Sequence, residues 1–373
     1  MQDFQKYLIN EGANVKEALV QLSALSPDLI LFVLDKNNKL LGSITDGDIR
    51  RGLIKGINLN DQISKVIQKD TKSITIGDLN IQKIIDYKRD LIQILPIVNE
   101  KKEIQRIINF REYFSLLPID VVIMAGGQGK RLRPLTEHTP KPLLNVGDRS
   151  IIEHNINRFI KYGISNFWIS INYRGDLIKN HLGAGPFTDI KINYIEEDKP
   201  LGTIGALSKG VKFKSRYVLV TNSDILTNLD YQDFLLKFLN SNADFAVTTV
   251  SHNYTIPYGV VEINQDRIKS ITEKPTMTYQ CNAGIYLMKK EVLDLIPKDT
   301  FFNTTDLIQV LLSNDKIIFP YQFSGYWLDI GSYNDFEKAQ RDIKRLSFNE
   351  NINHYLCQRR IKRDSRKKYK IDE

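Results

Sequence analysis

At 373 residues the chain is too long for one typical hydrophobic core, so its length predicts two or more domains. Hydrophobic residues make up 42% and charged residues 26%, the proportions of an ordinary soluble globular protein. No apolar run approaches the roughly 20 residues that cross a bilayer, and the first residues lack the apolar core of a secretory signal, so we expect no membrane association. Cys281 and Cys357 give no disulfide framework, and we expect a reducing, cytoplasmic location.

The formal net charge of +8 is concentrated near the C-terminus. Residues 341–373 contain eleven Lys/Arg and five Asp/Glu, a net of +6, which leaves only +2 for the rest of the chain. The basic residues cluster from Arg359 to Lys370. We therefore expect a solvated basic tail over 346–373, with a phosphate- or membrane-binding segment as the alternative. Because no basic face of the folded body is implied, we do not expect nucleic acid as a partner.

The first 117 residues contain an internal repeat with a constant offset of 64 residues. Each copy predicts a strand, a polar turn, a second strand and a polar start to a helix, with one more helix upstream. The matched segments are Leu34–Ile49 and Val98–Tyr113, and the upstream helices are predicted at Val15–Leu25 and Leu79–Tyr87. We therefore predict two α+β units, about 1–65 and 66–117.

These two units resemble a tandem pair of CBS domains, modules that often bind adenine nucleotides and regulate an attached enzyme. In the first copy Gly42, Thr45 and Asp48 match the family pattern G-x-x-T-x-x-D. The resemblance implies that Thr45 and Asp48 contact the ribose and phosphate of an adenine nucleotide. The alternative is that either residue caps a helix.

The second copy departs from this pattern. It has Arg106, Asn109 and Glu112 at the matching positions. The departure favours a folded regulatory or assembly module over a pair that senses nucleotides.

The stretch from Val121 to Leu144 reads VVIMAGGQGKRLRPLTEHTPKPLL. Its apolar first part predicts a buried parallel strand, which three glycines and two cations follow. These five residues are Gly126, Gly127, Gly129, Arg131 and Lys141. Glycines let backbone N–H groups approach an anion with no Cβ in the way, and the cations add fixed positive charge. The pattern predicts a polyphosphate-binding loop, although a plain tight turn is the alternative for the glycines alone.

From Gly126 to Leu144 the chain fits the pattern GGxGxRLxPLTxxxPKPLL without a break, and it resembles the sugar-1-phosphate nucleotidyltransferases. The resemblance implies an enzyme that joins a sugar-1-phosphate and an NTP and releases pyrophosphate, with Mg²⁺ as cofactor. It assigns Arg131 and Lys141 to the β- and γ-phosphates. It also implies nucleotide contacts from Ala125, Gly126, Gly127, Gly129 and Lys130.

Strands and helices alternate in the region that follows. Strands are predicted at Phe167–Ile171, Ile190–Tyr194 and Tyr217–Thr221, and helices at Ile151–Tyr162, after Gly202 and at Tyr231–Asn240. Such alternation predicts an α/β domain over about 118–345, with a doubly wound, mostly parallel, Rossmann-like sheet. In such sheets ligands bind beyond the carboxyl ends of the strands.

Two aspartates stand where a metal site is expected. The apolar strand YVLVTN delivers Asp224 to its C-terminal end, and Asp329 lies between Leu328 and Ile330. Magnesium prefers oxygen ligands, often one or two carboxylates plus substrate phosphates. The resemblance implies that both aspartates hold one Mg²⁺. The alternatives are a turn residue for Asp224 and a helix-proximal cap for Asp329.

Further motifs resemble parts of the same family. PLGTIGAL, from Pro200 to Leu207, resembles LGTAGAL and implies that Gly202 and Thr203 lie beside the base and ribose, while a helix capped at Thr203 is the alternative. The YG, EKP and NAGIY elements imply a sugar-phosphate side. Its predicted residues are Gly259, Glu273, Lys274, Asn282 and Gly284. Glu273 can accept hydrogen bonds from sugar hydroxyls, and Lys274 can neutralise the sugar phosphate.

A CBS pair ahead of such a body resembles bacterial guanylyltransferases that act on glucosamine-1-phosphate or related sugars for surface-glycan or nonulosonic acid synthesis. This implies GTP and a hexose or aminosugar phosphate. The alternatives are a mannose- or heptose-1-phosphate guanylyltransferase and a glucose-1-phosphate uridylyl- or thymidylyltransferase. A non-catalytic homologue that senses nucleotide sugars is a different class, which the retained cations and carboxylates disfavour. A homo-oligomer is compatible with the sequence.

Overall fold

The computed structural model of the chain describes residues 4–76, 80–183 and 190–344. The predicted basic tail and Cys357 lie outside the described residues. The described chain divides into two compact units, the first running to Pro118 and including 161–163, and the second containing 119–160 and the residues from Ile164 onward. No helix among the described residues is long and apolar enough to span a membrane.

The N-terminal unit contains two copies of one strand arrangement. Each copy is a three-stranded sheet in which the first pair of strands is parallel and the second pair antiparallel. The elements are β1 (Leu8–Asn10), α1 (Val15–Ala24), β2 (Ile30–Leu34), β3 (Leu40–Thr45), α2 (Asp46–Ile54), β4 (Ile74–Thr75), α3 (Ile81–Arg89), β5 (Ile94–Val98) and β6 (Ile104–Asn109). Strands β2 and β5, like β3 and β6, begin and end 64 residues apart, so the predicted repeat is confirmed.

The two copies share a hydrophobic core and a polar contact. Ile94 and Ile107 of the second copy pack in the same cluster as the buried strand residues of the first. Asn109 Nδ2 donates to Oδ2 of Asp28 at 3.1 Å, and Arg111 Nη1 donates to Oδ1 of the same carboxylate at 2.7 Å. The second copy therefore packs against the first, and Asn109, which departs from the nucleotide-binding pattern, takes part in the contact.

The predicted closing helix is present in the first copy and wrong for the second. In the first, the Thr45 hydroxyl accepts from the N–H of Asp48, and the Asp48 carboxylate accepts from the N–H of Thr45, a capping box that starts α2. In the second, Asn109 occupies the corresponding position and accepts from the N–H of Arg111, which forms a turn. The chain then continues without a helix to the next strand, which begins at Ile119.

The C-terminal unit is built around a seven-stranded sheet. In chain order its elements are β7 (Ile119–Met124), β8 (Asn145–Val146), β9 (Arg149–Ser150), α4 (Ile151–Ile160), β10 (Asn166–Ile171), α5 (Gly175–Gly183), β11 (Lys191–Glu196), β12 (Tyr217–Asn222), β13 (Ile225–Thr227), α6 (Tyr231–Asn240), β14 (Phe245–Thr255), β15 (Val260–Asn264), β16 (Arg267–Thr272), β17 (Thr276–Lys289), α7 (Thr304–Ser313), β18 (Ile318–Phe323), β19 (Trp327–Asp329) and α8 (Tyr333–Ile343). The strand order in the large sheet is β11-β10-β7-β12-β17-β14-β18. Only β17 runs antiparallel to its neighbours there, so the predicted mostly parallel α/β sheet is confirmed.

Burial explains why these segments form the centre of the sheet. The first five residues of β7 are all buried, as expected for a parallel strand covered on both faces. Helix α4 buries Ile152, Ile156 and Phe159 along one side, while charged and polar residues occupy the other. The predicted helix after Gly202 is wrong: only one 3₁₀ turn forms, Gly205–Ser208. Gly202 and Gly210, which stand at the two ends of this segment, have left-handed backbone, and this interrupts helical geometry at both ends.

Strands β7, β10, β11 and β12 run parallel, so their carboxyl ends share one edge of the sheet. At this edge two backbone hydrogen bonds join the glycine loop to the neighbouring strands. Ala125 N–H donates to the carbonyl of Ser170 at 2.8 Å, and Ser223 N–H donates to the carbonyl of Met124 at 3.1 Å. The glycine loop and the segment that carries Asp224 therefore leave the sheet side by side.

Candidate functional site

The glycine loop has a position, Gly129, whose backbone and neighbours strongly favour glycine. Gly129 has a φ of 62°, in the left-handed region. A Cβ atom there would lie 3.1 Å from Cγ2 of Thr136 and 3.2 Å from Cβ of Lys141. The Thr136 hydroxyl also donates to the Gly129 carbonyl at 2.8 Å. The loop is thereby held against the segment that carries Lys141.

The same loop offers backbone donors. Among the described residues, the N–H groups of Gly126, Gly127 and Gln128 have no protein acceptor. Nothing lies within 4 Å of the position that a Cβ on Gly127 would take, so the loop is open on that side. Successive free N–H groups of this kind form an anion-binding concavity.

Lys141 is a buried cation between two carboxylates. Its Nζ donates to Oδ2 of Asp224 and lies 3.9 Å from Oδ1 of Asp329. A buried ammonium is costly without a partner, so its position depends on these aspartates.

Strand pairing brings the two aspartates together. Strands β13 and β19 are antiparallel, with Ile225 opposite Asp329, and Ile330 N–H donates to the Asp224 carbonyl at 3.0 Å. Behind them, the buried side chain of Asn155 donates to the Ser223 carbonyl at 3.1 Å. This pairing gives a structural reason for the convergence of two residues that lie far apart in the sequence.

Both carboxylates keep an oxygen that is ready for a cation. Oδ1 of Asp224 and Oδ1 of Asp329 are buried and have no hydrogen-bond partner among the described residues. No group of three or more His, Cys, Asp or Glu in that part of the chain could hold a metal alone. Two carboxylates fit Mg²⁺, which commonly takes its other ligands from substrate phosphates and water.

The pKa of Asp329 is affected by its burial and by the charged groups around it. Burial and the nearby Asp224 carboxylate raise the pKa of Asp329 above the ordinary range, although Lys141 and Arg131 act in the opposite direction. The Arg131 guanidinium lies against Gly331, where a Cβ atom would be 3.4 Å from Nη2. Arg131, Lys141, Asp224 and Asp329 therefore form one charged cluster.

The predicted base-side residues have intramolecular contacts. Gly202 has a φ of 81°, and a Cβ there would lie 2.6 Å from the carbonyl oxygen of Phe302. The Thr203 hydroxyl accepts from the N–H of Thr304 at 2.8 Å. Thr203 thus supports the start of α7 and does not cap a helix of its own.

The five predicted sugar-side residues are not gathered in one place. Gly284 lies at the site, since a Cβ on it would be 2.7 Å from Nδ2 of Asn222, and its N–H donates to Asn282 at 2.9 Å. Gly259, Glu273 and Lys274 lie instead on a solvent-exposed extension of the sheet. Within it Glu273 contacts Gly259, where a Cβ would be 3.0 Å from Oε2.

In the N-terminal unit, Asp48 is buried and ion-paired. Its Oδ1 accepts from Arg51 at 2.5 Å and from Gln68 at 3.0 Å. Burial acts to raise the pKa of Asp48, but hydrogen bonds from Thr45 and Arg51 outweigh it and lower the pKa below its usual value. Both predicted ligand residues, Thr45 and Asp48, are thus engaged in the cap of α2.

Glu197 is not among the site residues predicted from the sequence. This half-buried carboxylate follows β11 at the same edge of the sheet, and Oε1 would lie 3.0 Å from a Cβ on Gly126. Ser170 donates to its Oε1, and Leu201 N–H donates to its Oε2 at 3.0 Å. In the sequence it belongs to an acidic run that resembles a solvated surface. Its position directly after a parallel strand is the signal that could have identified it.

Comparison with known proteins gives a family match over most of the second unit. The model of the nucleotidyl transferase family matches residues 120–345. Mannose-1-phosphate guanylyltransferase of Mycobacterium tuberculosis is 31% identical over 234 residues, which cover 61% of this chain and 65% of the relative. Mannose-1-phosphate guanyltransferase of Debaryomyces hansenii is 30% identical over 224 residues, which cover 58% and 62%. The chain thus spans less than two thirds of the length of these relatives.

A solved structure also matches part of the chain. The crystal structure of HddC from Yersinia pseudotuberculosis complexed with GMP-PN is 26% identical, with a TM-score of 0.49. The match covers 60% of this chain and 99% of that one.

The raised pKa of Asp329 predicts how its removal changes stability. A carboxyl whose folded-state pKa is raised costs stability once it ionises, so the cost is present at neutral pH and fades as the pH falls through the folded-state pKa. Asp329→Asn should therefore raise the melting temperature at pH 7 by on the order of 2 °C. Calorimetry of the variant and the wild type at several pH values measures this difference in melting temperature.

Asp224→Asn is the matched control, because it removes the ion-pair partner of buried Lys141 and should lower the melting temperature. A lower melting temperature for Asp329→Asn at pH 7 would contradict the account of the charged cluster.

Proposed function

The chain belongs to the nucleotidyl transferase family, and on that premise we propose that it transfers a nucleotidyl group from an NTP to a sugar 1-phosphate and releases pyrophosphate. GTP is the favoured NTP. The observation that carries the proposal is the charged cluster beside the glycine loop. Free backbone donors, Arg131 and Lys141 lie next to two aspartates, each with a buried oxygen that makes no hydrogen bond within the described part of the chain.

The proposed reaction needs no protein nucleophile. An oxygen of the sugar phosphate attacks the α-phosphorus, a new P–O bond forms there, and the bond to the β-phosphate oxygen breaks as pyrophosphate leaves. The attacking phosphate is already ionised, so no proton must be removed. Catalysis then consists of positioning and charge neutralisation.

Each residue of the cluster has a proposed role. The N–H groups of Gly126 and Gly127 bind oxygens of the β- and γ-phosphates, and Arg131 neutralises the charge of the leaving pyrophosphate. Lys141 forms ion pairs with both aspartates and orients their carboxylates. Asp224 and Asp329 would hold Mg²⁺ through their free oxygens, and the bound ion would offset charge on the α-phosphate.

The choice of base is proposed from Glu197. Guanine presents an N–H and an adjacent amino group on one edge, and a carboxylate accepts from both, whereas uracil and thymine present carbonyl oxygens beside a single N–H. Glu197 is a carboxylate beside the loop, half-buried and held in place by Ser170 and Leu201. The names of the two relatives, both guanylyl transferases, point the same way.

Two sugars are the leading candidates. Mannose-1-phosphate is the sugar in the names of the relatives. Glucosamine-1-phosphate is implied by the resemblance of the two-part organisation to bacterial guanylyltransferases. A regulatory homologue without catalysis is disfavoured because Arg131, Lys141 and both aspartates are present together.

The N-terminal unit is proposed to be a CBS-type pair that serves regulation or assembly and does not sense adenine nucleotides. The repeated sheets support the pairing. The use of Thr45 and Asp48 in a helix cap and of Asn109 as a contact between the copies supports the lack of sensing.

Replacing a metal-site aspartate should abolish turnover. We expect Asp224→Asn and Asp329→Asn each to lower kcat at least about 100-fold, because each weakens the hold on the proposed Mg²⁺, whose positive charge would offset the negative charge that develops at phosphorus. The measurement is pyrophosphate release with GTP, ATP, UTP, CTP and dTTP against mannose-1-phosphate, glucosamine-1-phosphate and glucose-1-phosphate. Asp294→Asn, at an exposed surface position, is the control. Wild-type rates in either site variant would refute the metal assignment.

Glu197 should determine preference among bases. Glu197→Gln replaces one acceptor by a donor, so we expect kcat/KM for GTP to fall about 10-fold or more relative to UTP. Glu196→Gln is the matched control, since that side chain is exposed and its ion pair is with Lys179, away from the glycine loop's Gly126 contact with Glu197. An unchanged ratio in the Glu197 variant would remove Glu197 from the base site.

Adenine nucleotides should leave the N-terminal unit unchanged. We expect titration of the full chain with AMP, followed by calorimetry, to give no saturable heat. Saturable binding that Asp48→Ala abolishes would contradict the proposed role of the pair.

A further inference from the structure

Four polar side chains of the second unit form a row in which each is hydrogen-bonded to the next. Asn282 Nδ2 donates to the Tyr286 hydroxyl at 2.7 Å. The Tyr286 hydroxyl is also hydrogen-bonded to Thr304, whose Oγ1 lies 3.2 Å from Oγ1 of Thr203. The row therefore connects β17 with the segment after Gly202 through the first residue of α7.

The two inner members of the row are buried, and the two outer members are exposed. Tyr286 is 5% and Thr304 1% exposed, whereas Asn282 and Thr203 are open to solvent. Burial raises the pKa of Tyr286 above its ordinary value, so its hydroxyl keeps the proton at neutral pH. Because a buried hydroxyl without a hydrogen-bond partner is costly, the inner pair depends on a complete row.

The orientation of the Asn282 amide sets the direction of the row. Gly284 N–H donates to Oδ1 of Asn282 at 2.9 Å, and a backbone N–H can only donate. The amide nitrogen therefore faces Tyr286, and the Tyr286 oxygen accepts from it. The Tyr286 proton needs another acceptor, and among the described residues the Thr304 hydroxyl is its other side-chain partner. Tyr286 therefore donates to Thr304.

The same direction continues to the end of the row. Thr304 accepts from Tyr286, so its own hydroxyl proton goes to Oγ1 of Thr203. The Thr203 oxygen also accepts from the N–H of Thr304 at 2.8 Å, which uses both of its lone pairs, and its own proton points outward. The reverse direction is disfavoured, because it would leave the buried Tyr286 proton with no acceptor in the described part of the chain.

One end of the row lies beside the charged cluster. A Cβ on Gly284 would be 2.7 Å from Nδ2 of Asn222, which precedes Asp224 by two residues. Asn282 holds Gly284 through its Oδ1, and it keeps a second amide hydrogen for which the described residues supply no acceptor. This end of the row can therefore donate to a ligand on the sugar side.

The other end belongs to the proposed base side. Thr203 follows Leu201, whose N–H donates to Oε2 of Glu197 at 3.0 Å and whose carbonyl accepts from the N–H of Phe302 at 2.9 Å. The segment is thus fixed to Glu197 on one side and to the residues before α7 on the other. With its outward proton, the Thr203 hydroxyl can donate to a nucleotide bound there.

We propose that Tyr286 and Thr304 are positioning residues that couple the two substrate sides of the site. A nucleotide that accepts from Thr203 fixes the row in its one direction, and this orients the Asn282 amide for the sugar phosphate. The sugar phosphate has the reciprocal effect on the nucleotide. The inference rests on the proposed function for the identity of the two ligands, whereas the row itself stands independently.

Michaelis constants measured by pyrophosphate release, from GTP with mannose-1-phosphate and with glucosamine-1-phosphate, test the coupling. We expect Thr304→Val, next to the nucleotide end, to raise KM for the sugar phosphate at least about 5-fold, and Tyr286→Phe to raise KM for GTP similarly. In both variants kcat should stay within about 2-fold of wild type, because the charged cluster is unchanged. Thr304→Ser keeps the hydroxyl and should keep both constants near wild type. Effects on one substrate alone would overturn the coupling.

Tyr321→Phe is the matched control for Tyr286→Phe. Tyr321 is also 5% exposed, and its hydroxyl donates to Asp233 at 2.7 Å, so this variant removes a buried tyrosine hydroxyl outside the row. Thr248→Val is the control for Thr304→Val, because Thr248 is buried and its hydroxyl has no partner among the described residues. Both controls should leave the two KM values unchanged. Raised values in the controls would contradict a specific role of Tyr286 and Thr304.

A double-variant cycle tests the link between the two inner hydroxyls without any substrate. We expect Tyr286→Phe and Thr304→Val each to lower the melting temperature by about 2–4 °C, because each leaves the other hydroxyl short of a partner. The double variant should lower the melting temperature by clearly less than the sum. Additive losses would show that the hydroxyls do not interact and would overturn the row.

The two proposals fail separately. An inactive wild type would refute the proposed function, and the melting temperatures would still support or overturn the row. An active wild type whose KM values are insensitive to Tyr286→Phe and Thr304→Val would overturn the positioning role alone.

Discussion

The site depends on one buried ammonium group. The aliphatic stem of Lys141 packs against Gly129 of the glycine loop, and its Nζ lies between the carboxylates of Asp224 and Asp329. Lys141 therefore links the proposed phosphate-binding loop to the candidate metal ligands. Without that charge, Asp224 and Asp329 would repel each other in a partly buried environment. Without the aspartates, the ammonium would be buried and unpaired.

The fold makes this arrangement possible with few special features. Parallel strands deliver the glycine loop, Glu197 and Asp224 to one edge of the sheet, and the short β13–β19 pair brings in Asp329. Gly129 and Gly284 have left-handed backbone, Gly129 against the Lys141 stem and Gly284 against Asn222. The N-terminal unit shows the opposite use of a motif, because Thr45 and Asp48 match a ligand pattern and form a helix cap.

Sequence reasoning succeeded where one local pattern determines the outcome. The apolar run before the glycines predicted β7, the 64-residue offset predicted two matching sheets, and the spacing from Tyr231 to Asn240 predicted α6 with its observed ends. Sequence reasoning failed where the position of a residue depends on contacts between segments that are far apart in the sequence. In the sequence Glu197 resembles a solvated surface charge, and only the pairing of β11 with β10 in the sheet brings its carboxylate beside Gly126. The solvent-exposed position of Glu273 and Lys274 depends on how β14 and β17 pair, which no local pattern specifies.

A structure of the wild-type protein with Mg²⁺ and a non-hydrolysable GTP analogue tests the central claim most directly. The account predicts an ion bound by the free oxygens of Asp224 and Asp329 and by the α-phosphate. It also predicts β- and γ-phosphates along the N–H groups of Gly126 and Gly127, near Arg131. A triphosphate bound elsewhere, or an ion that touches neither aspartate, would contradict it.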